Sequence, residues 1–325
     1  MISFLKKRLR PIKIIYTLIM NYYYDFSRYY RYTSRTNYQK NLEANIIKHY
    51  HVLEKGLSMP VVKQGFGVDV ATSLISLCER YIENGYSLES KQFLSALSVL
   101  EKYINYNSKY YDLTDMKKGY GKITRELVVN KNQTEGGFKY LTKDEIIKSA
   151  NSGFMEFSAC RYSVRNYTDE EVDINLLKEA IKVAQKTPSA CNRQSSKVYV
   201  VCDKNLINKV LGFQNGNRGF GHLANKLLIV TNDLRVFEGV HERNQSFIDG
   251  GMFAMSLLYG LHYNGLGACP LNWSTTTEVD RKFKKAVGIN DSENIMMMIS
   301  VGHLQDSFKV AVSKRRDIEE VLSFM

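Results

Sequence analysis

FIDGGMFAMSLLYGLHYNGLG, residues 247–267, is apolar nearly all the way round when wound as a helix. Such a helix has no polar side to offer water, so the rest of its domain has to pack around it. Gly250, Gly251 and Gly260 fall inside the run, and each lets a second backbone come close. The neighbouring segments supply partners. INLLKEAIKVAQK, 174–186, has Ile174, Leu177, Ile181 and Ala184 at helical spacing, with Asp173 placed to cap it. DEIIKSANSGFMEFSA, 144–159, reads as another helix. KVYVVCD at 197–203, KLLIVTND at 226–233 and NIMMMISVGHL at 294–304 are short runs suited to strands. Helices alternating irregularly with a few strands predict an α+β domain.

The chain ahead of residue 140 has a different texture. Residues 40–106 read as helical: LEANIIKHYHVLEKGL, then VATSLISLCERYIENG and FLSALSVLEKYINY as two amphipathic helices joined at Gly85. The stretch 107–140 is polar and weakly periodic, and NKNQTEGG at 130–137 is the best linker. We therefore expect a helical N-terminal region over 1–140, basic and Tyr-rich at 1–38, and a second domain over 141–325. No internal repeat is evident.

Charge is uneven. The net charge is +12, yet residues 1–35 alone hold eight basic residues against one acid, Asp25. That segment contains IKIIYTLIMNYYYDF, 12–26, too short and too interrupted by Lys13, Asn21 and Asp25 to span a bilayer. No small-residue cleavage site follows it, so it does not read as a signal peptide. Three readings stay open: a helix docking on its own protein, contact with a membrane or anionic surface, or stacking on nucleic acid. The last is disfavoured because no nucleic-acid module accompanies it. The five cysteines show no C-x-x-C pair, which points to a reducing, cytoplasmic setting and away from a zinc site. The histidines show no ligand spacing, and no nucleophile elbow, zincin or Walker motif is present.

Four stretches carry polar chemistry. In CRYSVRNY, Arg161, Ser163 and Arg165 alternate, so an extended backbone turns all three to one side. Arginine's planar fork suits phosphate; a solvated basic turn is the plainer reading. TPSACNRQSSK, 187–197, offers Pro188, Ser189, Asn192 and Gln194, groups fit to read the edge of a polar heterocycle or simply to join a helix to a strand. GLGACPLNW, 265–273, reads as a tight loop able to lay backbone N–H groups against a flat ligand. It follows a helix and lacks a third glycine, so it is not a dinucleotide fingerprint. SKRRDIEEVL, 313–322, adds Lys314, Arg315 and Arg316, for a phosphate or for solvent.

In this order the stretches resemble the nitroreductase family of flavin enzymes, over roughly 145–325. Arg161-Tyr162-Ser163-Val164-Arg165 is similar to the family's opening Arg-Arg-Ser-x-Arg. Pro188-Ser189-Ala190-Cys191-Asn192-Arg193-Gln194 is similar to its Pro-Ser-x-x-Asn-x-Gln. HLANKLLIVT resembles its Ala-Pro-x-x-Ile-x-Val strand, GLGACPLNW its Gly-Leu-Gly turn and SKRRDIEEVL its Arg-containing tail. The resemblance implies a three-layer sandwich with a mainly antiparallel central sheet, in an intertwined homodimer with FMN at the interface. It implies that Arg161, Ser163 and Arg165, helped by Arg315 or its neighbours, hold the FMN phosphate, with Tyr162 also among the cofactor-binding residues. Asn217 and Asp249 would face the flavin, Pro270, Leu271 and Asn272 would lie against its ring, and Pro188, Ser189 and Asn192 would reach the flavin of the other subunit. It also implies hydride transfer from NAD(P)H to a small nitroaromatic or quinone-like acceptor by a ping-pong mechanism, with no catalytic side chain required. Dehalogenation, heterocycle oxidation or a degenerate docking module are the alternatives. Two positions depart from the pattern: Tyr162 for the second arginine, and Ser195-Ser196 for Pro-Trp. A His-x-Leu-Glu-Lys-Gly-Leu-Ser stretch like His51–Ser58 accompanies a subset of nitroreductase-like proteins, without a role readable from sequence.

Overall fold

The structure, a computed structural model, describes residues 2–33, 39–125, 136–237 and 240–325. In chain order the main elements are α1 (Ile2–Thr33), α2 (Gln39–Leu57), α3 (Val68–Glu83), α4 (Lys91–Asn107), α5 (Thr114–Arg125), β1 (Phe138–Thr142), α6 (Lys143–Ala150), α7 (Phe154–Ala159) and α8 (Ile174–Ala184). They continue with β2 (Ser196–Val201), α9 (Lys204–Leu211), β3 (Lys226–Asp233), α10 (Gln245–Tyr263), β4 (Leu266–Asn272), α11 (Thr277–Val287), β5 (Glu293–His303), β6 (Ser307–Ala311) and α12 (Ile318–Val321). They form two compact units: Met1–Tyr32 with Thr142–Ser307, and Thr33–Leu141 with Phe308–Met325. One border falls at Leu141/Thr142; Met1–Tyr32 is grouped with the segment after it, and Phe308–Met325 with the helices before it. Residues 130–135 of the expected linker lie outside the described residues.

In the first unit β2, β3, β5 and β4 lie side by side in that order, all antiparallel. Leu228, Val230, Ile299, Val301, Leu266 and Ala268 share one buried cluster with Leu177, Ala180 and Ala184 of α8 and Phe253, Ala254, Leu257 and Leu261 of α10. The alternate residues Leu227, Ile229, Met298, Cys269 and Leu271 are buried as well, so the sheet is covered on both faces. Alternation thus decides which layer a side chain joins, not whether it meets water. The β3–β5 register slips between Val230 and Thr231, which sets Met296 apart as a bulge.

α10 is the central helix the sequence demanded. Its backbone comes close to that of α8: a Cβ on Gly260 would sit 2.6 Å from the backbone oxygen of Ala180. Of the face expected on α8, Leu177 and Ala184 are buried, whereas Ile174 is exposed and Ala180 takes its place in the core. Asp173 caps the helix as expected, its carboxylate accepting from Asn175 N at 2.9 Å.

Three expectations are corrected. The single helix over 144–159 is two, α6 and α7, broken at Asn151-Ser152-Gly153. Gly153 leaves the helical region with ψ 153° and starts the second piece. GLGACPLNW is not a loop: Leu266–Asn272 is strand β4, paired with β5 from Leu266↔His303 to Asn272↔Met297. Pro270 is tolerated there because β4 closes the sheet order, where a missing N–H leaves no ladder bond unmade. And 107–140 holds helix α5, which turns only Met116 and Ile123 inward.

The second unit is built on α2, α3 and α4. Tyr50, Leu53 and Leu57 meet Leu74, Cys78 and Tyr81, with Phe93, Leu100 and Tyr103 from α4. Tyr81 stacks on Phe93 at 4.8 Å. Within the His51–Ser58 stretch Glu54 is fully buried and accepts from Gly137 N at 2.9 Å, so this stretch ends α2 and fastens the start of β1. The C-terminal tail docks through Lys91 on Asp317, Gln92 Nε2 donating to Lys314 O at 3.3 Å, and Arg316 with Glu43 at 3.6 Å.

Candidate active site

The opening arginine motif runs as an extended segment along the free side of β4. Val164 N donates to Ala268 O at 3.0 Å and Thr168 N to His303 O at 3.0 Å. Tyr167 fixes the register, its hydroxyl donating to Val164 O at 2.7 Å and lying 2.9 Å from Ser300 Oγ. Burial pushes the Tyr167 phenol far above its ordinary pKa, so it stays a neutral donor.

This frame presents the two arginines to different neighbours. Arg161 and Tyr162 line a narrow cleft with Val164, His262 and Leu304. His262 is buried against the Phe157 ring, centroids 4.8 Å apart. Burial lowers its pKa to about 4; a hydrogen bond with the Phe157 backbone opposes the shift and the charge of Arg161 adds to it. His262 therefore stays neutral beside the arginine. Arg165 is only 8 % exposed and stands over the Phe220 ring at 5.8 Å. Its Nη1 donates to Ser163 O at 3.3 Å, while its buried Nε has no hydrogen-bond partner. Among the described residues no carboxylate pairs with it. A buried guanidinium with an unused donor and no counter-charge is costly unless an anion meets it.

The loop carrying Phe220 also carries Asn217, and a residue missed by sequence reasoning ties it to β4. Gln214 is buried; its Nε2 donates to Asn272 O at 3.0 Å and its Oε1 accepts from Gly216 N at 2.6 Å. Asn217 uses its Nδ2 on Leu211 O at 2.8 Å, so it shapes the end of α9. Thus Arg165, Phe220, Gln214 and the Pro270–Asn272 end of β4 are linked neighbours. Neither Gln214 nor Phe220 belongs to a helical or strand pattern, and only the flanking glycines hinted that this loop is shaped.

A second group forms around the other motif. Pro188, Ser189 and Asp249 line one cavity of about 110 Å³ together with Thr187, Gln194 and Ser196. Buried Asp249 accepts from Ala190 N at 3.1 Å and from Gln245 Nε2 at 2.8 Å. Ser189 Oγ accepts from Gln194 N at 2.9 Å. Cys191, Asn192 and Gln194 all have positive φ, 52°, 54° and 50°, a conformation costly for residues with a Cβ. Arg193 pins this strained turn by pairing with Glu242 at 3.0 and 2.5 Å. Asn192 points outward, exposed. Arg315 belongs to the second unit, exposed on the tail before α12. No cluster of potential metal ligands occurs among the described residues.

An antiparallel sheet buried between helices, with an uncompensated arginine at its edge, defines an α+β domain equipped to hold an anionic ligand. Residues 159–215 and 210–303 match the nitroreductase family. The matched segment, 159–303, is a little under half of the chain. Similar solved structures include a nitroreductase family protein of Streptococcus pneumoniae, 20 % identical, over 53 % of this chain and 100 % of that one, TM-score 0.46. Another is a protein of Desulfovibrio desulfuricans, described as a nitroreductase in complex with FMN, 19 % identical over 54 % and 98 %, TM-score 0.46. A third is an FMN-dependent nitroreductase of Clostridium difficile, 20 % identical over 51 % and 92 %, TM-score 0.41.

Proposed function

We propose that the chain is an FMN-dependent oxidoreductase that takes hydride from NADH or NADPH and passes it to a small organic acceptor such as a quinone or nitroaromatic. The observation that carries this reading is the buried, uncompensated Arg165 within the family-matched segment. FMN, when bound, supplies the reversible two-electron chemistry. The chain's own residues bind and orient. Arg161 and Arg165 supply charge to the phosphate and Ser163 a neutral hydroxyl, Phe220 and Gln214 hold Arg165 and the end of β4 in place, and Pro270–Asn272 present backbone groups to the ring. Pro188, Ser189 and Asn192 serve a flavin on a second copy of the chain, in a homodimer, and Asp249 faces the flavin while bracing their loop through Ala190 N. Neutral His262 adds no second positive charge beside Arg161.

The test is an anaerobic titration of the purified, FMN-loaded protein. NADH or NADPH should bleach the flavin absorbance, and a quinone added afterwards should restore it. In the steady state, double-reciprocal plots at several acceptor concentrations should be parallel, as one shared pocket requires. A flavin that neither nucleotide bleaches removes the proposed reaction.

A further inference from the structure

α1 carries an apolar stripe that is solvent-exposed in the structure. Ile12, Ile15, Tyr16, Ile19, Tyr22, Tyr23 and Phe26 recur at helical spacing and fall within an arc of about 120° over about four turns. Each of the seven is between 54 % and 64 % exposed. Single exposed apolar residues are ordinary, but a continuous stripe of this size marks a contact surface. Arg10 and Lys13 lie off the stripe and are exposed. The surrounding sequence is strongly cationic, eight basic residues against one acid over residues 1–35. No helix among the described residues is long and apolar enough to cross a membrane.

We propose that α1 lies in the plane of an anionic lipid surface. The Ile–Tyr–Phe stripe enters the boundary between headgroups and acyl chains, and the basic residues face lipid phosphates. Tyrosine suits that depth, because its ring is apolar and its hydroxyl still reaches water. The same charge argues against a second copy of α1 as the occupant, since two such cationic segments laid together would repel. It argues against nucleic acid too, which has no use for the isoleucines at the centre of the stripe. The proposal does not depend on the flavin reading.

The experiment is sedimentation of the full-length protein with vesicles, either of phosphatidylcholine alone or mixed in equal parts with phosphatidylglycerol. The protein should pellet with the mixed vesicles and stay in solution with pure phosphatidylcholine. Ionic strength of about 1 M, where the Debye length falls to about 3 Å, should release most of it. Ile15→Gln with Ile19→Gln, both at exposed positions, should weaken partitioning by more than about tenfold. Arg10→Gln and Lys13→Gln should each weaken it about fivefold. Equal pelleting with both vesicle types overturns the proposal, as does an I15Q/I19Q variant that pellets like the parent. So does self-association without vesicles that I15Q/I19Q abolishes, because the stripe would then cover a second copy.

Discussion

Arg165 and His262 illustrate opposite solutions to burying a titratable side chain. Arginine cannot shed its proton, so Arg165 stays charged and keeps an unmet donor. Replacing it with alanine should weaken FMN binding about 10- to 100-fold, the worth of a charge-assisted contact, in a fluorescence titration of the apoprotein. Lysine should recover only part of the loss, because a point charge cannot reproduce the fork. Histidine can shed its proton, and burial lowers the His262 pKa from 6.5 to about 4. The unfolded chain then binds a proton first as pH falls. Stability from this residue is complete above about pH 6.5 and is lost on acidification towards pH 4, by about 2 kcal/mol at pH 5. Urea unfolding at pH 7 and pH 5 checks this: His262→Leu should lose stability less steeply than the parent, and an identical slope would remove the assignment.

Packing between elements is most exacting where α8 crosses α10. Any Cβ at Gly260 meets the Ala180 carbonyl, so Gly260→Ala should destabilise the first unit by about 1–3 kcal/mol. Gly251 of the same helix has open space around its Cβ position. Gly251→Ala should stabilise by about 0.5–1 kcal/mol, through helix propensity alone. Both are read from denaturant midpoints, and a shared sign would contradict the packing described. The elements differ in how far the sequence disclosed them. α10, β3 and β5 are built around long apolar runs and were legible. β4 was not, because LGACPLN lacks β-branched residues and carries a proline that only a sheet edge tolerates. α5 was hidden because two buried residues in a charged stretch make no periodic signal. The break between α6 and α7 was written plainly as Asn-Ser-Gly, yet the apolar spacing on either side bridged it.

Across the whole molecule, the arginines and Pro188–Ser189 stood out within their own stretches of sequence, and Asp249 only through the family resemblance. Phe220 and Gln214 were not, since their roles arise only when distant segments are folded together. The same holds for the tail: nothing in SKRRDIEEVL foretold that Lys314, Arg316 and Asp317 would be held by Gln92, Glu43 and Lys91. The contrast between FMN and its phosphate-free counterpart is the most direct measurement of the central claim. Titrating the apoprotein with FMN and with riboflavin isolates the phosphate. FMN should bind at least about tenfold more tightly, and Arg165→Ala should bring the two affinities together. Equal affinity of the parent protein for both flavins would contradict an anion site built on this arginine motif.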